Sequence, residues 1–516
     1  MYYCGLAFQD PISNGNGAVK VVGKELYDYQ KRALSKIFHK LVDNPENENI
    51  LFQLPTGGGK TVIFSEIARR YIQKTGKKVI ILTHRIELLV QTSVMLNTFT
   101  VKNKVISSEV KTLEDQNDYQ CFVAMVETLN NRLNEEAFEL KNIGLVIIDE
   151  AHYNSFGKLF KFFRESTVLG VTATPLSSNI NLPMNENYDR LIVGESIQSL
   201  VEMNYLAKAN TYCYDVNLTS LNIGINGDYT VRSSEELYTD YTMQSRLLTA
   251  YQEQCLGKKT LIFNNGINTS NYVYDSFRKA GYDVRHLDNK NTAAERREIL
   301  KWFRETPGAV LTSVGILTTG FDEPSVEAII LNRATRSMTL YYQMIGRGSR
   351  IFGNKKEFTV IDLGNNVARF GAWDGFVDWE HIFRNPDVHL NSIRSDEEIQ
   401  RNFKYKMPKE IRERFSNSEN IDFNIGEAYD AALKRGDRPK VAIEESIDQH
   451  VQICTENSED LWDARDLAKL LEGEIEYRAR KYGECLAKTT PSYVKWLQDE
   501  YMRKLNVRLI QEFQVA

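Results

Sequence analysis

At 516 residues the chain exceeds what one hydrophobic core holds, and three or so units of roughly 100 to 200 residues each are expected. A composition of 42% hydrophobic and 26% charged residues excludes a disordered or fibrous protein. The net charge of -5 argues against a uniformly basic surface. Its acidic excess lies entirely from Pro386 onward, however, and the balanced remainder leaves room for a local basic groove.

The opening stretch MYYCGLAFQD lacks the basic start and long apolar run of a signal peptide, and residues 1–24 read as an N-terminal extension. No later stretch holds roughly 18 uncharged apolar residues in a row, so no membrane partner is expected and the protein reads as cytoplasmic. Cys4, Cys121, Cys213, Cys255, Cys454 and Cys485 are dispersed and form no CxxC pair, which points to neither a zinc site nor a disulfide framework.

From Asn49 to Asp149 short apolar runs alternate with helix-like stretches: NILFQLP, TVIFSEIARRYIQ, KVIILT, IELLVQTSVML, CFVAMV and GLVIID. Continuous apolar runs between crossover helices predict a parallel sheet buried on both faces. A second such series starts near Lys258 with KTLIFN and continues through DVRHL, ERREILKWF, AVLTS, EAIILN and FTVIDL. The fold class is therefore α/β with two tandem lobes, 25–182 and 183–385. The second opens on an irregular linker, 183–257, in which NLTSLNIGINGDYTV suggests a loop or hairpin. Residues 386–516 read as an acidic all-helical domain. In it Thr490 and Pro491 start a helix whose stripe is Val494, Leu497, Tyr501, Leu505 and Leu509, and Trp462 and Trp496 are expected to be core anchors. The acidic tail suits a solvated surface or a protein partner.

LPTGGGKT, Leu54 to Thr61, joins an apolar strand to a helix. Pro55, Thr56, Gly57, Gly58 and Gly59 would let backbone N–H groups wrap a phosphate chain, Lys60 would meet the outer phosphates, and Thr61 would hold Mg²⁺. Alone, the run favours nucleotide binding over its alternative, a glycine-rich turn with an incidental Lys-Thr. Asp149 and Glu150 follow the strand GLVII. There Asp149 can hold Mg²⁺ opposite Thr61 and Glu150 can orient and deprotonate an attacking water, so the pair turns the reading into ATP hydrolysis. In QMIGRGSR, Arg347 and Arg350 lie three apart, a spacing that on a helix shares one face and reaches one anion. A solvated basic helix is the alternative.

In this order the motifs resemble the superfamily 2 helicases, specifically their DEAH-box-like members, over Leu26 to Asp362. The resemblance implies two RecA-like P-loop NTPase lobes with ATP and Mg²⁺ between them. LYDYQ resembles the adenine-contacting entry motif, with Tyr27 and Gln30 on the base. THRIELLVQ and VAMVETL are similar to strand-contacting motifs carrying Thr83, Arg85 and Thr128. DEAH at Asp149 to His152 and TAT at Thr172 to Thr174 are similar to motifs II and III, in which His152, Thr172 and Thr174 would couple the two sites. LIFNNGINTS with Asn264 and Asn265, and LTTGFDEP with Thr318, Gly320 and Asp322, look like motifs IV and V. Thr318 would touch the strand, and Gly320 and Asp322 the nucleotide. QMIGRGSR looks like motif VI, with Gln343, Arg347 and Arg350 acting on the phosphates.

The spacing looks most like the RadD-like DNA repair helicases, which implies a sequence-tolerant grip on nucleic acid, DNA before RNA, in a bacterial or phage-infected cell. An RNA helicase, an ATP-switched binder and the motor subunit of a restriction complex are the other readings. His84 and His286 read as packing or surface residues, and Tyr341 and Tyr342 as packing residues.

Overall fold

The computed structural model describes residues 25–43, 48–154, 156–179, 181–318, 320–396, 399, 407, 409–418, 421, 423–486 and 489–515. The N-terminal extension, 1–24, lies outside the described residues. One compact unit runs to Ile393 apart from Asn217–Thr219, and a second comprises Asn217–Thr219 and the chain from Arg394.

The first unit contains two sheets, parallel throughout. The first has seven strands: β1 (Ile50–Gln53), β2 (Lys78–Thr83), β3 (Asn103–Ile106), β4 (Cys121–Met125), β5 (Ile143–Asp149), β6 (Thr167–Thr172) and β7 (Arg190–Val193), in the order β3-β4-β2-β5-β6-β1-β7. The second has six: β8 (Lys208–Cys213), β9 (Thr260–Asn264), β10 (Val284–Leu287), β11 (Val310–Val314), β12 (Ala328–Asn332) and β13 (Glu357–Asp362), in the order β10-β11-β9-β12-β13-β8. Both are right for their sequences. Residues of β1, β5, β9 and β12 are almost wholly buried, as strands covered on both faces must be.

The boundary expected at residue 182 falls short. β7 pairs with β1 and completes the first sheet, and β8 pairs with β13 and edges the second. The expected linker, 183–257, therefore contains an edge strand of each lobe and the helices Val231–Tyr238 and Tyr241–Gln254. Edge strands face water on one side and lack the continuous apolar run that marks the interior ones. β8 in particular has no fully buried residue.

Helices α1 (Asp28–Phe38), α2 (Lys60–Thr75), α3 (Ile86–Thr98) and α4 (Val126–Asn134) belong to the first lobe. One apolar cluster includes Leu54, Ile63 and Leu206 from the first half and Phe263, Ile345 and Phe358 from the second. After β13 the chain returns: Trp373 packs edge-on to Phe358 at 5.8 Å, while Phe383 belongs to a core cluster of the first lobe. Tyr341 and Tyr342 are buried packing residues, as expected.

The second unit is helical, with Ile425–Arg435, Val441–Glu456, Leu461–Leu470, Glu472–Cys485 and Pro491–Val515. Leu497, Tyr501, Leu505 and Leu509 are buried along the last helix. Trp462 and Trp496 are not core anchors; they are 73% and 55% exposed, because the apolar stripe of each helix runs along other positions, such as Ala464, Leu467 and Ala468. The core instead holds a polar network. Arg478 binds Glu474 and Gln449 Oε1 (2.9 Å), and the Tyr501 hydroxyl meets His450 Nδ1 at 2.9 Å.

Burial, helped by the Arg478 charge, pulls His450 from 6.5 down to about 4. The unfolded chain therefore takes up a proton in that window which the folded unit refuses. Stability from His450 is complete above pH 6.5 and declines as pH falls toward 4. His450→Gln is expected to flatten the loss of amide-exchange protection in helix Val441–Glu456 over that range, measured by hydrogen exchange of the full chain.

Candidate nucleotide site

All parallel strands of the first sheet end on one edge, and the loop 54–59 leaves β1 there. Leu54 N donates to Thr172 O at 2.9 Å, fastening the loop to the end of β6. Gly57 and Gly59 have φ of 94° and 82°, a region open to glycine at little cost. Leu54, standing where the general pattern has its first glycine, fills the loop: a Cβ at Gly58 would lie 2.8 Å from its Cγ. Gly59 caps α2 without any side-chain hydrogen bond, so the helix presents its N–H groups to an anion. Lys60 Nζ reaches back to Leu54 O at 3.3 Å.

Asp149 and Glu150 are both buried. Glu150 takes a left-handed φ of 51° and donates its N–H to Asp149 Oδ1 at 2.9 Å. A non-glycine residue held there is strained, a cost typical of functional sites. Burial, with Glu150 beside it, pushes Asp149 up to about 7. Burial would raise Glu150 too, but Lys60, His152 and Arg347 outweigh it and hold that carboxyl below its usual range. Lys60 is lowered by burial against the pull of Glu150 and Asp149. Glu150 Oε2 is buried without a hydrogen-bond partner. Hard oxygen donors from Asp149 and Thr61 fit Mg²⁺, which commonly takes one or two protein ligands and completes its shell with phosphate and water.

The second lobe closes over this loop. A Cβ at Gly346 would lie 2.7 Å from Thr56 Cβ, and one at Gly57 would lie 2.3 Å from Arg350 Nη1. Arg350 Nε donates to Asp322 Oδ1 at 3.1 Å, while its Nη1 is buried with no partner. Arg347 and Arg350 do not share a helix face. Their helix, Met338–Ile345, ends at Gly346, and Arg350 instead bridges Leu206 in antiparallel fashion. Gly346 and Gly348 favour leaving the helix and admit Thr56 and Phe358 at close range. Arg347 donates from Nε to Thr318 O at 3.1 Å, from Nη1 to Phe321 O, and from Nη2 again to Thr318 O. It braces the loop that carries Gly320 and Asp322, and its charge also acts on Glu150 across the cleft.

Gln343 reaches the first lobe at His152. Its Nε2 lies 3.2 Å from His152 Nε2, and His152 Nδ1 lies 3.2 Å from Thr172 Oγ1. Thr172 Oγ1 donates to Thr174 O at 2.8 Å, and Thr174 Oγ1 to Thr339 Oγ1 at 2.8 Å. The carboxylate pair, the end of β6 and the second lobe thus share one buried network, tied across the cleft at Gln343 and Thr339. Gln30 is buried against the loop, with Nε2 3.4 Å from Gly58 O and Oε1 accepting from Tyr27 N.

Sequence reasoning missed Tyr29, whose hydroxyl donates to Gly58 O at 2.8 Å, and Tyr205, whose ring lies 4.5 Å from that of Tyr27. It also missed Thr339. Tyr29 sits inside the entry motif and was legible there; Tyr205 and Thr339 belong to no spacing pattern.

The expected strand contacts fare differently. Thr83, Asn264 and Thr318 are buried and committed to protein groups: Thr83 to Arg85 O, Asn264 to Thr312 Oγ1 and Ser313 O, Thr318 to Gly315 O. Thr83 and Asn264 satisfy strand ends, and Thr318 closes the turn after β11, rather than offering surface donors. Asn265 Nδ2 binds Ser234 Oγ at 2.7 Å, Thr128 is half-buried on α4, and Arg85 Nη1 donates across the lobes to Ile316 O at 3.1 Å. His84 packs between Tyr153 and Phe156, and His286 lies 2.7 Å from Ser270 Oγ.

Residues 23–177 match the domain family described as type III restriction enzyme, res subunit, and residues 243–352 match the helicase conserved C-terminal domain. Together the two domains indicate a superfamily 2 helicase. This helicase is 28% identical over 337 residues to a 51.5 kDa protein of a Lactococcus phage, covering 64% of this chain and 69% of that one. It is 28% identical over 358 residues to a Saccharomyces cerevisiae protein named as ATP-dependent helicase IRC3, covering 66% of this chain and 51% of that one. The matched stretch is thus about half of the yeast relative. A fragment of an HsdR subunit of a type I restriction enzyme from Vibrio vulnificus superimposes with a TM-score of 0.54 at 21% identity, covering 69% of each chain, which establishes the likeness of fold.

Arg347→Ala removes the donors to two carbonyls, at a cost of about 1–3 kcal/mol for each group left buried and unpaired. The expected outcome is a lower melting temperature of the full chain, whereas Arg350→Ala leaves it within a few degrees of the parent.

Proposed function

We propose that this helicase is an ATP-driven motor on DNA, of the DEAH-box-like and RadD-like kind, acting in repair, recombination or replication. The observation that carries it is Arg350: it comes from the second lobe, stands over Gly57 of the phosphate loop, and keeps a buried, unpartnered Nη1. An arginine so placed stabilises the charge that develops on a transferred phosphoryl group and makes hydrolysis depend on lobe closure.

Lys60, the amides of Gly57 to Thr61 and the N-terminus of α2 bind and orient the phosphates. When bound, Mg²⁺ held by Thr61 and Asp149 would neutralise phosphate charge. Glu150, its carboxylate kept ionised by Lys60 and its Oε2 beside His152 Nδ1 at 3.4 Å but accepting no hydrogen bond, takes the proton of the attacking water. The network His152, Thr172, Thr174, Gln343 and Thr339 carries the state of the phosphate site to the second lobe. The contacts of Arg85 with Ile316 O, of Gln91 with Gly320 O and of Arg296 with Glu87 link the lobes away from the nucleotide and re-form as the cleft cycles. Sequence-independent contact to phosphates makes the grip sensitive to salt.

A second reading has one specific support, the restriction-enzyme domain family matched by residues 23–177: the chain is the motor of a defence complex and docks a protein partner through its acidic helical unit.

The test is ATP turnover with single-stranded, duplex and forked DNA and with RNA, beside strand displacement on the fork. Stimulation by DNA is expected; stimulation by RNA alone would overturn the DNA reading. Lys60→Ala and Glu150→Gln are expected to cut turnover by about 10²–10⁴-fold while leaving DNA binding in place. Arg350→Ala is expected to lower turnover by roughly 10³-fold or more with a smaller change in ATP affinity. Equal losses in turnover and affinity would refute the role across the cleft.

A further inference from the structure

Just beyond Arg350 the chain doubles back. Phe352 and Lys355 pair in antiparallel fashion, Lys355 N donates to Phe352 O at 2.9 Å, and Gly353 takes the left-handed φ of 55° that so tight a turn needs. The half-buried Lys355 side chain is thereby returned to the backbone that carries the two arginines. Its Nζ donates to three carbonyl oxygens at once, Pro324 O at 2.8 Å, Val326 O at 2.6 Å and Gly348 O at 2.9 Å. An ammonium has three N–H groups, and here all of them are spent on main chain. Burial draws the ammonium from 10.5 down to about 8; the carboxylates of Glu327 and Glu323 oppose the fall and the Arg350 charge adds to it. Lys355 is therefore charged at neutral pH and gives up its proton as pH rises through about 8.

The three carbonyls belong to the two stretches that aim Arg350. Gly348 lies in the turn from Gly346 to Arg350, and Pro324 and Val326 follow Asp322, whose Oδ1 accepts from Arg350 Nε at 3.1 Å. Arg350 Nη1 is buried with no hydrogen-bond partner, so the direction of the guanidinium depends on how the Asp322 stretch sits against the arginine's own turn. Two cations fix that relation, one on either side of Asp322. Arg347 holds Thr318 O and Phe321 O before it, and Lys355 holds Pro324 O and Val326 O after it while also taking Gly348 O from the turn itself. Other carbonyls of that turn are used elsewhere, Gly346 O by Ser349 Oγ at 2.8 Å and Ser349 O by Ala207 N at 2.8 Å. Without the ammonium, three carbonyl dipoles would converge negative end to negative end with no donor between them, an arrangement that drives the two stretches apart.

We propose that Lys355 is a positioning residue for ATP hydrolysis: it clamps the Arg350 turn to the Asp322 stretch, so that the guanidinium is held against Gly57 of the phosphate loop. Lys355 acts through Arg350, because its three donors are committed to carbonyls and none is left for a nucleotide. A compact ammonium on a flexible stem suits three converging carbonyls, and a neutral side chain of the same length would fill the space without drawing them together.

The inference rests on the reading of Arg350 given above, and the experiment keeps the two apart. Steady-state ATP turnover of the full chain, with the DNA or RNA that stimulates it most, is measured at neutral pH for the parent, Arg350→Ala, Lys355→Met, the double variant Lys355→Met/Arg350→Ala and, as a control one residue along, Lys356→Met. Lys355→Met should lower kcat by roughly tenfold or more with KM for ATP within about threefold of the parent, and Lys356→Met should stay within about twofold of the parent in both. The double variant should be no slower than Arg350→Ala, since a residue that acts through another adds nothing once the other is gone. A parent-like kcat in Lys355→Met, an equal change in KM, an equal loss in Lys356→Met, or losses that multiply in the double variant overturns the inference. If Arg350→Ala itself turns over as the parent does, the reading of Arg350 falls and Lys355 has nothing to position. Where Lys355→Met does not fold, Lys355→Arg decides. Its rate relative to the parent should rise severalfold as pH passes through about 8, because the arginine stays charged while Lys355 gives up its proton, and every other group, Lys60 included, titrates alike in both chains. A ratio that stays flat overturns the clamp.

Discussion

The turn from Gly346 to Arg350 presses on the phosphate loop, and the organisation of the first unit depends on that contact. It is possible because Gly57 and Gly346 carry no side chain: a Cβ on either would collide with Arg350 or Thr56. The backbone of one lobe thereby reaches the guanidinium of the other. What would be two separate α/β cores becomes one cleft whose chemistry is assembled from both sides.

Around that contact the charges are divided by burial. Asp149 and Glu150 are adjacent, buried and of like sign, and two such carboxylates do not ionise equally. The strained backbone of Glu150 gives its N–H to Asp149, while Lys60, His152 and Arg347 favour the charged form of Glu150. The division suits one carboxylate that holds a cation and one that receives a proton. Arg347 and Arg350, though near in sequence, differ in the same way: Arg347 ties carbonyls of its own lobe while its charge acts on Glu150, and Arg350 stands against Gly57 of the loop.

The network through His152, Thr172, Thr174, Gln343 and Thr339 ties the two lobes across the cleft. In the proposed cycle, closure at the nucleotide would shift helix Met338–Ile345 as a body. After β13 the chain returns, with Trp373 packed on Phe358 and Phe383 in a core cluster of the first lobe.

The sequence by itself determined the two parallel sheets and the loop and carboxylates of the candidate site. Continuous apolar runs, the glycines before Lys60 and the acids after β5 are local patterns, and strands that run parallel must bring their ends to one edge. Edge strands β7 and β8 were not legible, because half-exposed strands share the polar composition of loops, and Trp462 and Trp496 look like core residues in any linear reading. Tertiary structure alone decided that Arg347 and Arg350 leave a shared helix face, that Asn264 and Thr83 face inward, and that Tyr205 and Thr339 join the site. Those outcomes depend on where a backbone turns and what lies opposite it. Residues hundreds of positions apart set both, and no spacing within the chain records them.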